Sequence, residues 1–160
     1  MHEWSDFFVA ITGASAALTG LIFVGVSISL DKILAIARLP SRAFEALLLL
    51  VTVLVVSGLA LVPAQSACLF GIEVLLIGIL LWAYVLKTDI NIYHATDKEY
   101  KKRYLLILML TQLSVIPYII GGIVLICQSY NGLYWLVPGI MISFIKAVID
   151  AWVLLVEIRR

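Results

Sequence analysis

Lys146 and Asp150 stand four residues apart in SFIKAVIDAW, the stretch from Ser143 to Trp152, so on a helix they share one face. Extended in both directions, that face reads Gly139, Ser143, Lys146, Asp150 and Glu157. Asp150 lies roughly 6 Å further along the helix axis than Lys146. Glu73 is a third ionisable group in an apolar run, LFGIEVLLIGILL, and Gln112 lies in another, with Thr111 and Ser114 beside it. An ionised side chain at the centre of a bilayer costs about 2.5 to 3.5 kcal/mol on the translocon scale, so these groups must face each other, other helices or water. Two chemistries fit. One is an ion or proton path lined by Glu73, Lys146 and Asp150, with Gln112 and Ser143 contributing. The other is a buried ion pair that fixes helix register. Three charges where one pair would suffice for register favour the path.

Other reactive residues form no pattern. Ser143 and Lys146 have the spacing of a Ser–Lys dyad, but no oxyanion site accompanies them, and a packing serine is the simpler reading. Cys68 and Cys127 fall near the outer ends of their helices; a disulfide is open to them in an oxidising compartment, and two small buried thiols are the plainer reading. His2 and His94 fall on opposite sides of the membrane and share no metal. No phosphate loop, HExxH or cysteine cluster is present. No enzyme, cofactor or metal is expected.

The elements that must hold these residues follow from composition. The chain has 160 residues, 64% of them hydrophobic, and a mean hydropathy of +1.14. A soluble domain is nearer half apolar, so the expected solvent is lipid. Each span needs about 20 apolar residues. Five segments qualify: 7–30, 43–62, 65–86, 104–127 and 133–158. The expectation is an all-α, five-helix membrane bundle forming a single membrane domain over 1–160. Between spans lie the turn Val62–Pro63–Ala64–Gln65 and the turn Gln128–Ser129–Tyr130–Asn131–Gly132, both with chain-breaking residues. No basic run precedes Phe7, so no signal peptide is expected.

Charge sets the orientation. Outside the spans, Lys and Arg occur in the first loop (Lys32, Arg38, Arg42), the long loop (Lys87, Lys98, Lys101, Lys102, Arg103) and at Arg159 and Arg160. The N-terminal segment and the two breaker turns carry none. The positive-inside rule then places the N-terminus outside and the C-terminus in the cytoplasm, as an odd number of spans requires. Trp4, Phe7, Tyr130, Tyr134 and Trp135 fall at the outer interface, and Trp82, Tyr84, Tyr104 and Trp152 near the inner one. The segment from Asp97 to Arg103 is expected to continue the fourth helix into the cytoplasm, where its basic run can also meet anionic head groups. A net charge of +1 gives no sign of a nucleic-acid partner.

Helix packing in lipid relies on small residues that allow close approach. The first span supplies Gly13, Ala16, Ala17 and Gly20 on one side, with Thr12, Ser15 and Thr19 as a neighbouring hydroxyl stripe. It is expected to be the central, buried helix. The second span, ALLLLVTVLVVSGLAL, is nearly all aliphatic and is expected to face lipid. Pro117 and Pro138 are candidates for kinks. Glu45, at the start of the second span, is expected to reach water.

The opening, WSDFFVAITGASAALTGLIFVGVSISLDKIL from Trp4 to Leu34, resembles a group of small bacterial integral-membrane proteins that share a GASAALTGLIFV-type first helix. The likeness extends into RAFEALLLL, which begins at Arg42. Some related sequences carry the label of modulator of a membrane-anchored AAA protease. The resemblance implies a bacterial inner-membrane location and brings no catalytic or ligand motif. Its more specific part, Gly13 to Val24, covers under a fifth of the chain. Two functions follow as expectations. The first is a small homo-oligomeric ion channel or carrier. The second is a non-transporting regulator or assembly partner of another membrane protein, bound through the small-residue face of the first helix or the basic loop.

Overall fold

The computed structural model describes residues 4–36, 39–94 and 101–158. Among them every regular element is helical. The six α-helices are α1 (Ser5–Ile28), α2 (Leu30–Ala35), α3 (Leu39–Ala60), α4 (Ala67–His94), α5 (Lys101–Gln128) and α6 (Leu133–Ile158), with a 3-10 turn at Ser129–Gly132. Five of these, all but α2, are long and apolar enough to cross a membrane. This follows from composition, because runs of more than 20 apolar residues satisfy their backbone only as helices when water is absent.

Two helices run past one end of the expected apolar segment. α3 begins at Leu39 rather than Ala43, and α4 continues past Leu86 to His94. Charged residues at a helix end still complete backbone hydrogen bonds, so the hydropathy boundary and the helix boundary differ. Lys101–Arg103 open α5, while residues 97–100 lie outside the described residues. The first loop contains α2, whose start follows a break at Ser29. Pro117 and Pro138 both lie inside continuous helices. At the turn before α4, Ala64 takes a left-handed backbone (φ 58°).

The helices gather into two compact units, Met1–Pro63 with Phe144–Arg160, and Ala64–Ser143. In the first unit α1 packs on α3. A buried cluster joins Ala46, Leu50 and Ala147, with Leu18, Ile22 and Phe144 packed against it. A second cluster joins Ile33, Leu39, Ala43 and Leu154, with Val26 against it. In the second unit α4 and α5 form an antiparallel pair, and the 3-10 turn that follows α5 packs against both.

Two expectations about facing are reversed. α3, expected on the lipid side, is the most buried span, with 56% of its most apolar window inside the protein. α1, expected at the centre, has 17%. The buried side of α1 is Phe8, Ile11 and Ser15, so the hydroxyl stripe lies towards α3 while Gly13, Ala16, Ala17 and Gly20 are exposed. The physical reason is that each hydroxyl is satisfied within its own helix. Thr12 donates to the Phe8 carbonyl at 2.7 Å, Ser15 to Thr12 at 3.0 Å, and Thr19 to Ser15 at 2.7 Å. A serine or threonine bonded to its own preceding turn packs like a small apolar residue.

A candidate charge clasp and two polar contacts

The buried face of α6 runs through Leu136, Gly139, Ile140, Ser143, Lys146, Ala147, Asp150 and Leu154. Steps of three and four, widened by the adjacent pairs 139/140 and 146/147, keep these residues on one stripe. The stripe is apolar at both ends and polar in the middle. Glu157 lies in α6, but its side chain is outside the described residues.

In the first unit, the Lys146 ammonium donates to Glu45 Oε1 at 3.1 Å and to Asp150 Oδ2. Lys146 and Asp150 are each 2% exposed and Glu45 is 5%. The sequence paired Lys146 with Asp150 correctly. Its second carboxylate here is Glu45 of α3, which was expected to reach water and is buried instead. The helix start explains this. With α3 beginning at Leu39, Glu45 lies more than a turn inside it, on the same buried face as Ala46 and Leu49. The cluster holds one cation and two carboxylates, with Glu45 from α3 and Lys146 and Asp150 from α6. Adjacent apolar contacts between Ala147 and Ala46 and Leu50 bring the two helices together at this level.

The second unit holds the other expected site residues. Glu73 is half-buried and accepts a hydrogen bond from Gln65 Nε2 at 2.5 Å. Gln112 accepts from the Trp82 indole at 3.0 Å and donates to Asp89 at 3.5 Å. Asp89 was not foreseen, although it is 3% exposed. Its signal was available: it follows Trp82 by seven residues, so it continues that helix face beyond the apolar boundary at Leu86. Asp89 and Gln112 border a cavity of about 530 Å³ whose other walls include Leu86, Leu108 and Met109. Ser143, expected to work with Lys146, is buried and lies 3.2 Å from the Tyr118 hydroxyl. Thr111 and Ser114 are fully buried, and Ser114 donates to the Thr111 carbonyl. Cys68 and Cys127, expected to be buried, are free thiols on exposed positions.

The α4–α5 seam is built by glycine. A Cβ on Gly122 would stand 2.8 Å from the Leu75 backbone nitrogen, and one on Gly71 would stand 2.9 Å from Leu125 Cβ. Only hydrogen fits at these points, so backbone approaches backbone. By contrast, nothing lies within 4 Å of a Cβ built on Gly13, Gly20 or Gly25. The glycines of α1 face open space in the single chain.

Among the described residues all regular structure is helical, and five helices long and apolar enough to cross a membrane mark a helical membrane protein. Comparison with protein families, with curated proteins and with solved structures returns no match.

Proposed function

We propose that this is a five-span protein of a bacterial inner membrane that works by contact. In this reading it assembles through α1 into a homo-oligomer and serves as an assembly or regulatory partner of another membrane protein. The N-terminus is outside and the C-terminus in the cytoplasm, on the charge distribution of the loops. The observation that carries this reading is the small-residue face of α1. Gly13, Ala16, Ala17 and Gly20 are uncovered, and such faces associate closely in lipid. The buried ammonium supports it, because Lys146 is already engaged by two carboxylates of its own unit. An ion pair closed on itself fixes how helices sit and need not conduct. The label attached to sequences with a similar opening, modulator of a membrane-anchored protease, is of the same kind.

The second reading is transport, through a polar path that includes Lys146, Asp150 and Glu73. It is favoured by the placement of ionisable groups inside spans, which is costly and is common where ions or protons move. One reconstitution separates the two. The labelled protein is placed in liposomes, and subunit number is counted by single-molecule photobleaching alongside ion and proton flux. Oligomers that Gly13→Leu and Gly20→Leu dissociate, without flux, support assembly. Monomers throughout overturn it. Flux changed by Lys146→Met at constant subunit number makes the protein a transporter.

A further inference from the structure

α1 ends at Ile28, and the chain turns at Ser29 into α2. Beside this break lies a slot of about 460 Å³, formed by the last two turns of α1, by α2 and by the C-terminal part of α6. Leu21, Gly25 and Val26 line it from α1, Ile33 from α2 and Leu154 from α6. Its floor is firm, because Val26, Ile33 and Leu154 belong to a single packed cluster with Leu39 and Ala43. Ser29 and Lys32, at the end where α1 gives way to α2, are the polar side chains of its lining. Lys32 is exposed and Ser29 half-buried. Asp31, the adjacent acid, does not line the slot; neighbours on a helix point about 100° apart.

We propose that this slot binds one anionic glycerophospholipid, with an acyl chain against Leu21, Gly25 and Leu154 and the phosphate at Lys32 and Ser29. Three features select this occupant. The slot is apolar along the part that follows α1, for about 12 Å of helix rise from Leu21 to Ser29. A cation and a hydroxyl stand together where α1 stops, the position of a head group. The charge at the mouth is positive, so the complementary ligand is an anion with an apolar tail. Gly25 leaves space within the slot, with nothing within 4 Å of a Cβ built there. A side chain added at this point starts from open space and enters the slot that Gly25 lines.

The test uses the full chain released from vesicles of phosphatidylglycerol mixed with phosphatidylcholine and weighed by native mass spectrometry. Wild type is expected to retain phosphatidylglycerol in preference to phosphatidylcholine. Lys32→Gln is expected to lower that preference about fivefold, as the removal of one basic residue near a head group does. Gly25→Leu is expected to lose the retained lipid while keeping its helicity by circular dichroism. Equal retention of the two lipids by wild type overturns the proposal, as does undiminished retention in Gly25→Leu. A preference unchanged in Lys32→Gln also overturns it, because the head group would then not be read at Lys32.

Discussion

In Ala64–Ser143, α4 and α5 meet at glycine; in the other unit, α3 and α6 meet at charge. The first contact places Gly122 against the Leu75 backbone, with no room for a methyl group. The second places Lys146 between Glu45 and Asp150. Lipid tails are as apolar as leucine, so burial of apolar side chains gives little preference for one helix neighbour over another. Helices must choose partners by shape or by polar satisfaction, and the glycine seam and the ion cluster are one example of each. The devices differ in tolerance. A glycine seam gains a little from every close contact, whereas an ion cluster becomes a liability once one member is lost.

The largest effect should therefore come from the ion cluster. Lys146→Met leaves Glu45 and Asp150 buried without their shared cation. Removing one partner of a buried pair costs about 3 to 5 kcal/mol. The midpoint of unfolding by SDS in mixed micelles should fall sharply. Adding Glu45→Gln and Asp150→Asn to Lys146→Met should recover much of the loss, since neutral groups carry no unpaired charge. A triple variant no more stable than Lys146→Met would show that the ammonium does more than neutralise these two acids.

Next comes the glycine seam. Gly122→Ala introduces a Cβ that meets the Leu75 backbone at 2.8 Å. Overpacking of this kind costs about 1 to 3 kcal/mol. Gly13→Ala, on a face with nothing within 4 Å, should cost nothing measurable in the same assay. Equal effects from the two substitutions would remove the distinction between a covered and an open glycine. A smaller step follows at Tyr118→Phe, which deletes the contact with Ser143 at 3.2 Å. Hydrogen bonds between membrane helices average about 0.6 kcal/mol, and a shift near that size is expected.

The comparison also explains what the sequence could reveal. The polar stripe of α6 was legible, because Ser143, Lys146 and Asp150 recur every three or four residues in an apolar run, and all three are buried. The five long apolar helices were legible from length and hydropathy alone. Which way a span faces was not. In water an apolar face turns inward, but in lipid hydropathy is uniform around the helix and carries no direction. α3, rich in leucine and valine, is buried, and α1, rich in small residues, is exposed. Small residues permit close approach without naming the partner. Glu45 was misplaced for another reason. Hydropathy starts its span where apolarity starts, and α3 begins four residues earlier.

The smallest effect on the folded chain, and the most informative, concerns α1. Gly20 is exposed and nothing lies within 4 Å of a Cβ built on it. Gly20→Leu should not disturb the contact of α1 with α3, whose buried side is Phe8, Ile11 and Ser15. Leucine also favours helix over glycine by somewhat less than about 1 kcal/mol. The SDS midpoint of the isolated chain should hold or rise slightly. Association between copies in a bilayer should fall, because a branched side chain separates two backbones that glycine allows to touch. The two readouts move independently only if the face of α1 belongs to an assembly and not to the fold. Förster transfer between labelled copies in liposomes, measured with the SDS midpoint, gives both. A variant that loses stability and association together would place the small-residue face within the chain's own packing. A variant that loses neither would leave α1 to lipid.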